Sequence, residues 1–94
     1  MQIIITEEAL EWFKDEFQLT SGDAIRFYVR YGGASPIQEG FSLGVMADSP
    51  NDPSARVEIE GIHFFVEAKD AWYFKDYDLK VVTDKNKEID FQYI

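Results

Sequence analysis

Ninety-four residues with 18 acidic against nine basic side chains give a formal charge of −9, and no residue is a cysteine. A chain of this size holds one core rather than two. Thiolate-ligated metal centres and thiol chemistry are excluded, and so acidic a surface repels nucleic-acid phosphates and anionic membranes.

Residues Met1 to Glu8 contain no basic region and no long apolar stretch, so no signal peptide is expected. No apolar run approaches the ~18–20 residues of a membrane span. With the lack of cysteine, this points to a cytoplasmic protein. Gln2 to Ile5 reads as a short β-branched strand. Thr6 then has the character of a helix N-cap, with Glu7 and Glu8 placed at the positive end of the helix dipole. Leu10, Phe13 and Phe17 follow at helical spacing, while Glu7, Glu11, Lys14 and Asp15 face away. This predicts an amphipathic helix ending near Leu19.

From Ala24 the period changes to two. Ile25, Phe27, Val29 and Tyr31 alternate with Arg26, Tyr28 and Arg30, the pattern of a half-buried strand. Gly32-Gly33-Ala34-Ser35-Pro36 is expected to break it. Phe41, Leu43 and Val45 alternate again, and the Pro-rich stretch Asp48 to Ser54 reads as a loop. Arg56 to Glu60 and Ile62 to Val66 form a predicted hairpin with a tight turn at Gly61. Glu67 to Phe74 has no two-residue period and is expected to make a short helix or helical turn. Leu79 to Thr83 and Glu88 to Tyr93 are the last predicted strands. The expected fold class is α+β and β-rich: one domain over residues 1–94, its N-terminal helix packed on mostly antiparallel sheets.

The order of these pieces resembles the HesB/IscA-like proteins, the A-type iron–sulfur carriers, and more narrowly their short, cysteine-poor branch in Gram-positive bacteria. The residues that carry the likeness are the Ile5-Thr6-Glu7-Glu8-Ala9-Leu10 helix start, the strand ending in Gly32-Gly33, the aromatic strand after it, and the hairpin Val57-Glu58-Ile59-Glu60-Gly61-Ile62. The resemblance implies a HesB-like fold of two sheets with a packed helix. Carriers of that family use a Gly-Gly-Cys-Ser-Gly segment and a Cys-Gly-Cys pair. Here Ala34 stands at the first cysteine position, Pro36 replaces the second glycine, and no Cys-Gly-Cys pair occurs. Every cluster ligand is missing, so the carrier chemistry is not implied and no cofactor is expected.

Candidate sites follow from residue type and place. The glycine loop is the family's functional loop; Gly32 and Gly33 permit close backbone approach. Arg30, Tyr31 and Gln38 are predicted to line it, although a plain strand-connecting turn that needs glycine for geometry alone is the first explanation of the glycines. His63 should face away from Ile62 and Phe64, and lacks sequence neighbours that would make it a ligand or an acid–base pair. Glu7, Glu11 and Asp15 share a helical face, and Asp48, Asp52, Asp76 and Asp78 lie in loops. None has the spacing of a cation site, so a solvated acidic surface is the reading. Trp72, Tyr73, Phe74 and Tyr77 must divide between core and an exposed interface or dimer contact. Without a nucleophile–base pair, metal motif or phosphate loop, no enzymatic activity is expected. The leading expectation is a protein-binding or scaffold role, with a link to iron–sulfur metabolism through protein contacts. The alternative is a small-molecule or divalent-metal binder using the Gly32-Gly33 loop.

Overall fold

A computed structural model describes residues 1–94. Three isoleucines form β1 (Ile3–Ile5), and Thr6 turns the chain directly into α1 (Glu7–Phe17). The Thr6 hydroxyl accepts the Ala9 N–H at 3.2 Å, and Glu7 and Glu8 occupy the first turn, satisfying a terminal donor and the helix dipole as the sequence predicts. The helix stops earlier than Leu19 because Gln18 adopts a left-handed conformation and returns its N–H to the Lys14 carbonyl.

The remaining elements are β2 (Ala24–Ala34), β3 (Glu39–Ala47), β4 (Pro53–Ile59), β5 (Ile62–Glu67), a 3₁₀ helix (Ala68–Phe74), β6 (Leu79–Thr83) and β7 (Ile89–Tyr93). One sheet has the order β3-β2-β5-β4 and the other β1-β6-β7. The three hairpin pairs are antiparallel, whereas β1 with β6 and β2 with β5 are parallel. The fold is the small, β-rich α+β type, with an N-terminal helix packed on two sheets, that the sequence predicts. None of its helices is long and apolar enough to cross a membrane.

The core lies where α1 and the two sheets meet. Phe13 of α1 packs against Phe27 and Phe64, with ring centroids 5.9 and 5.2 Å away, and Phe27 also meets Phe91 of β7 at 6.0 Å. Phe13, Phe27 and Phe64 are fully buried, each contributing roughly 1.5–3 kcal/mol by leaving water. The β4–β5 turn is as tight as the sequence implies: Glu60 and Gly61 both have positive φ, 53° and 80°, the conformation of a type I′ hairpin. The Gly61 carbonyl accepts the Gly22 N–H at 2.8 Å, and any Cβ on Gly61 would collide with the Ser21 side chain.

Two further features depart from the pattern of the sequence. β2 does not end at Tyr31 but continues through Gly32 and Gly33 to Ala34, across a register shift. Gly32 and Gly33 have φ of 111° and 72°, so they form a bulge inside the ladder rather than a break in it. Pro53 opens β4 instead of closing the loop, which is tolerated because β4 is an edge strand.

Candidate functional site

The alternation of β2 and β3 decides what the end of their hairpin presents. Tyr31 pairs directly with Phe41, and both belong to the core-facing set of their strands. This end of the hairpin overhangs the core, leaving Tyr31 93% exposed. Its ring packs edge-on against Phe41 at 5.7 Å, and Phe41 packs edge-on against Trp72 at 5.2 Å. The 3₁₀ helix explains why Trp72 is there. Three residues per turn put Asp70 and Tyr73 on one side and Lys69 and Trp72 on another. Tyr73 and Asp70 are buried, Phe74 is buried beside them, and Trp72 is left 51% exposed.

The ring-to-ring contacts continue inward from Trp72 to Tyr73 and on to Tyr93. The Tyr73 and Tyr93 hydroxyls share a hydrogen bond of 2.9 Å. Burial, and then the Tyr73 hydrogen bond, push the Tyr93 phenol well above its ordinary value. A row of edge-to-face rings thus runs from solvent at the hairpin tip to the core, a favourable geometry for aromatic pairs. The aromatic segment divides accordingly: Tyr73 and Phe74 are core, while Trp72 and Tyr77 are exposed.

The predicted loop residues are not all on this surface. Arg30 pairs with Ser42 and points to the opposite face of the hairpin from Tyr31. Gln38 closes the tip: its carbonyl accepts the Ser35 N–H at 3.3 Å, and its N–H donates to the Ser35 hydroxyl at 3.1 Å. A Cβ on Gly32 would meet only open space, and the Gly32 carbonyl accepts the Ser42 hydroxyl at 3.1 Å. The structure brings Tyr31 together with Phe41 and Trp72, residues distant in sequence, and separates Arg30 from them.

The other face of the four-stranded sheet holds a polar network that the sequence pattern does not reveal. Arg26 bridges Asp48 at 3.3 Å and Asp70 at 3.2 Å, with the Arg26 and Asp70 side chains only 13% and 11% exposed. Burial opposes the Arg26 charge, but hydrogen bonds to Asp70 and Asp48 outweigh it and raise the guanidinium above its ordinary value. The buried Glu67 carboxylate accepts the N–H groups of Asn51 and Asp52 at 2.8 and 2.6 Å. These bonds hold the Asp48 to Asp52 loop on the same side of the sheet as Phe65, which is fully buried. Asp48 is thereby part of an ion pair. His63 faces Glu58 across the β4–β5 ladder, with Nε2 3.8 Å from the carboxylate, and Arg56 lies 3.4 Å from its Nδ1. His63 and Arg56 border a cleft of about 690 Å³ that Phe17, Asp23 and Pro50 also line. Nowhere do three histidine or carboxylate side chains converge as a metal site requires.

The sequence model for iron–sulphur cluster biosynthesis proteins matches residues 1–90. A Bacillus subtilis (strain 168) protein named pyruvate dehydrogenase inhibitor is 52% identical, across 86% of this chain and 85% of its own. An uncharacterized protein of Staphylococcus saprophyticus is 37% identical, with 97% of each chain covered. Another, from Staphylococcus haemolyticus, is 36% identical over 95% of this chain and 94% of its own. The side chains at the hairpin tip do not fit an iron–sulphur cluster: Ala34 is exposed and pairs with Glu39, and the chain has no thiolate to offer.

Proposed function

The chain belongs to the iron–sulphur cluster biosynthesis family, and from that premise we propose that it is a non-enzymatic, protein-binding member whose hairpin tip docks on a metabolic enzyme complex in the cytoplasm. The observation that carries this reading is the exposed ring row Tyr31–Phe41–Trp72 at the tip. Tyr and Trp are the residue types that most often dominate interface energy, and rigid rings already packed on one another lose little conformational freedom on binding. The relative named for inhibition of pyruvate dehydrogenase directs the reading to that complex and to inhibition as the outcome of docking. A scaffold role in iron–sulfur metabolism would use the same surface.

The test is to titrate purified bacterial pyruvate dehydrogenase complex with this protein and follow NADH production. Saturable inhibition at micromolar protein or below supports the reading. Unchanged activity at a large molar excess, with no complex seen by analytical ultracentrifugation, refutes it.

A further inference from the structure

Four strands lie at sheet edges, and three are blunted in the ways that keep edges unpaired. β1 has only three residues. β7 has five and carries Asp90. β4 begins with Pro53 and contains Arg56 and Glu58. β3 differs from all of them. It is nine residues long, and Gly40 to Ala47 contains no charge and no proline. It pairs with β2 alone, and no turn or loop backbone bond involves it.

Register identifies the free groups. The Asp48 N–H bonds the Ala24 carbonyl at 3.3 Å, and Arg26–Met46, Tyr28–Gly44 and Arg30–Ser42 follow as the bonded pairs of the same ladder. In an antiparallel ladder the intervening residues turn their N–H and C=O groups away from the partner strand. Phe41, Leu43 and Val45 therefore present theirs along the open edge. On the outer side of the strand, the Tyr28 ring lies over Gly44 so closely that a Cβ there would collide with it. The free edge begins at Phe41, the middle ring of the docking surface.

We propose that β3 is a strand-addition site: an extended segment of the partner enzyme pairs with Phe41 to Val45 and lays alternate apolar side chains on the Tyr31–Trp72 rings. This rests on the protein-binding reading above and states how that binding is achieved. Main-chain bonds would supply affinity, and the rings on one face would supply selectivity. The −9 charge of the chain determines the occupant. It disfavours a second copy, whose equal charge repels, and any segment rich in carboxylates. The fitting segment is alternately apolar and free of acidic residues, to match the uncharged stretch Gly40 to Ala47.

The test uses purified pyruvate dehydrogenase complex and three readouts. Val45→Pro removes an edge-facing N–H while leaving the β2 ladder and all three rings in place. It is expected to weaken binding at least tenfold with cooperative melting retained. Met46→Lys adds the charge that natural edges carry and is expected to weaken binding in the same direction; it also decides the matter if Val45→Pro does not fold. Amide hydrogen exchange at Phe41, Leu43 and Val45 should slow on complex formation. If the wild type binds and both variants bind equally, with these amides unprotected, strand addition is wrong while the ring surface stands. If the amides become protected in the protein alone as concentration rises, a second copy is the occupant and the proposal is overturned. If the wild type does not bind the complex, the functional reading falls and takes this inference with it.

Discussion

The two ends of the β2–β3 hairpin are built from the same two strands and treated in opposite ways. At the root, Ile25 and Phe27 are buried, and Arg26 is clamped between Asp48 and Asp70. At the tip, Tyr31 is exposed, a Cβ on Gly32 would meet only open space, and Ala34 stands in solvent. The β4–β5 turn sharpens the contrast, since it too relies on positive-φ glycine but is pressed against Ser21 and bonded to Gly22. Root and turn use unusual residues to hold the fold. The tip leaves apolar area uncovered, and such area on a small protein marks a place for something else.

The root should yield the largest effect. Arg26→Ala leaves Asp70 buried without its cation and is expected to destabilise the protein by about 3–5 kcal/mol, the range for breaking a buried pair from one side. Urea denaturation measures it, and a loss below about 1 kcal/mol would show the pair to be no more than a surface contact. Next comes the packed turn. Gly61→Val meets both a disfavoured backbone conformation and the Ser21 side chain, and should cost about 2 kcal/mol or more. That lowers the melting midpoint by roughly 4–8 °C per kcal/mol. Gly32→Ala has backbone strain alone and is expected to cost about 1 kcal/mol. Equal losses for the two glycines would mean that the turn and the tip are packed alike.

A smaller effect separates the faces of the tip. Arg30→Ala and Lys87→Ala should stay within about 0.5 kcal/mol of wild-type stability, as exposed substitutions do. Neither is expected to alter binding to the complex, because both lie off the ring surface. Loss of binding in Arg30→Ala would place the partner on the opposite face of the hairpin. The smallest effect lies at the inner, half-buried end of the ring row. The Tyr93 phenol has a raised pKa in the folded state, against 10.0 ordinarily. Its contribution is therefore complete below pH 10 and is lost as pH climbs through the folded value. Tyr93→Phe should flatten the fall in melting midpoint between pH 9 and 11, about the ordinary tyrosine value. Parallel curves for the two proteins would contradict the assignment.

Much of this fold is legible in the sequence because its signals are local. Thr6 with Glu7 and Glu8 specifies the helix start, and the period of two from Ile25 to Tyr31 specifies the strand and its buried face. Glu60-Gly61 between two alternating runs specifies the turn. The candidate site is less legible, because its members meet only through register and 3₁₀ geometry. Tyr31 and Phe41 are brought together by the β2–β3 ladder, and Trp72 reaches them from a helix of three residues per turn. Alternation alone does signal that Arg30 and Tyr31 face apart. The Arg26 network is hidden for a different reason. Period two marks Arg26 as solvent-facing, and nothing local records that the Asp48 to Asp52 loop folds back over it.

The central claim is that the ring row at the tip is a docking surface rather than an incidental exposure, and one comparison of affinities tests it most directly. Binding of wild type, Tyr31→Ala and Trp72→Ala to immobilised pyruvate dehydrogenase complex would be measured beside their melting midpoints. Each truncation is expected to raise Kd at least about thirtyfold, the equivalent of a 2 kcal/mol interface anchor. The Tyr31→Ala midpoint should stay within a few degrees of wild type. Three equal affinities, or weakened binding only in step with lost stability, would contradict the account.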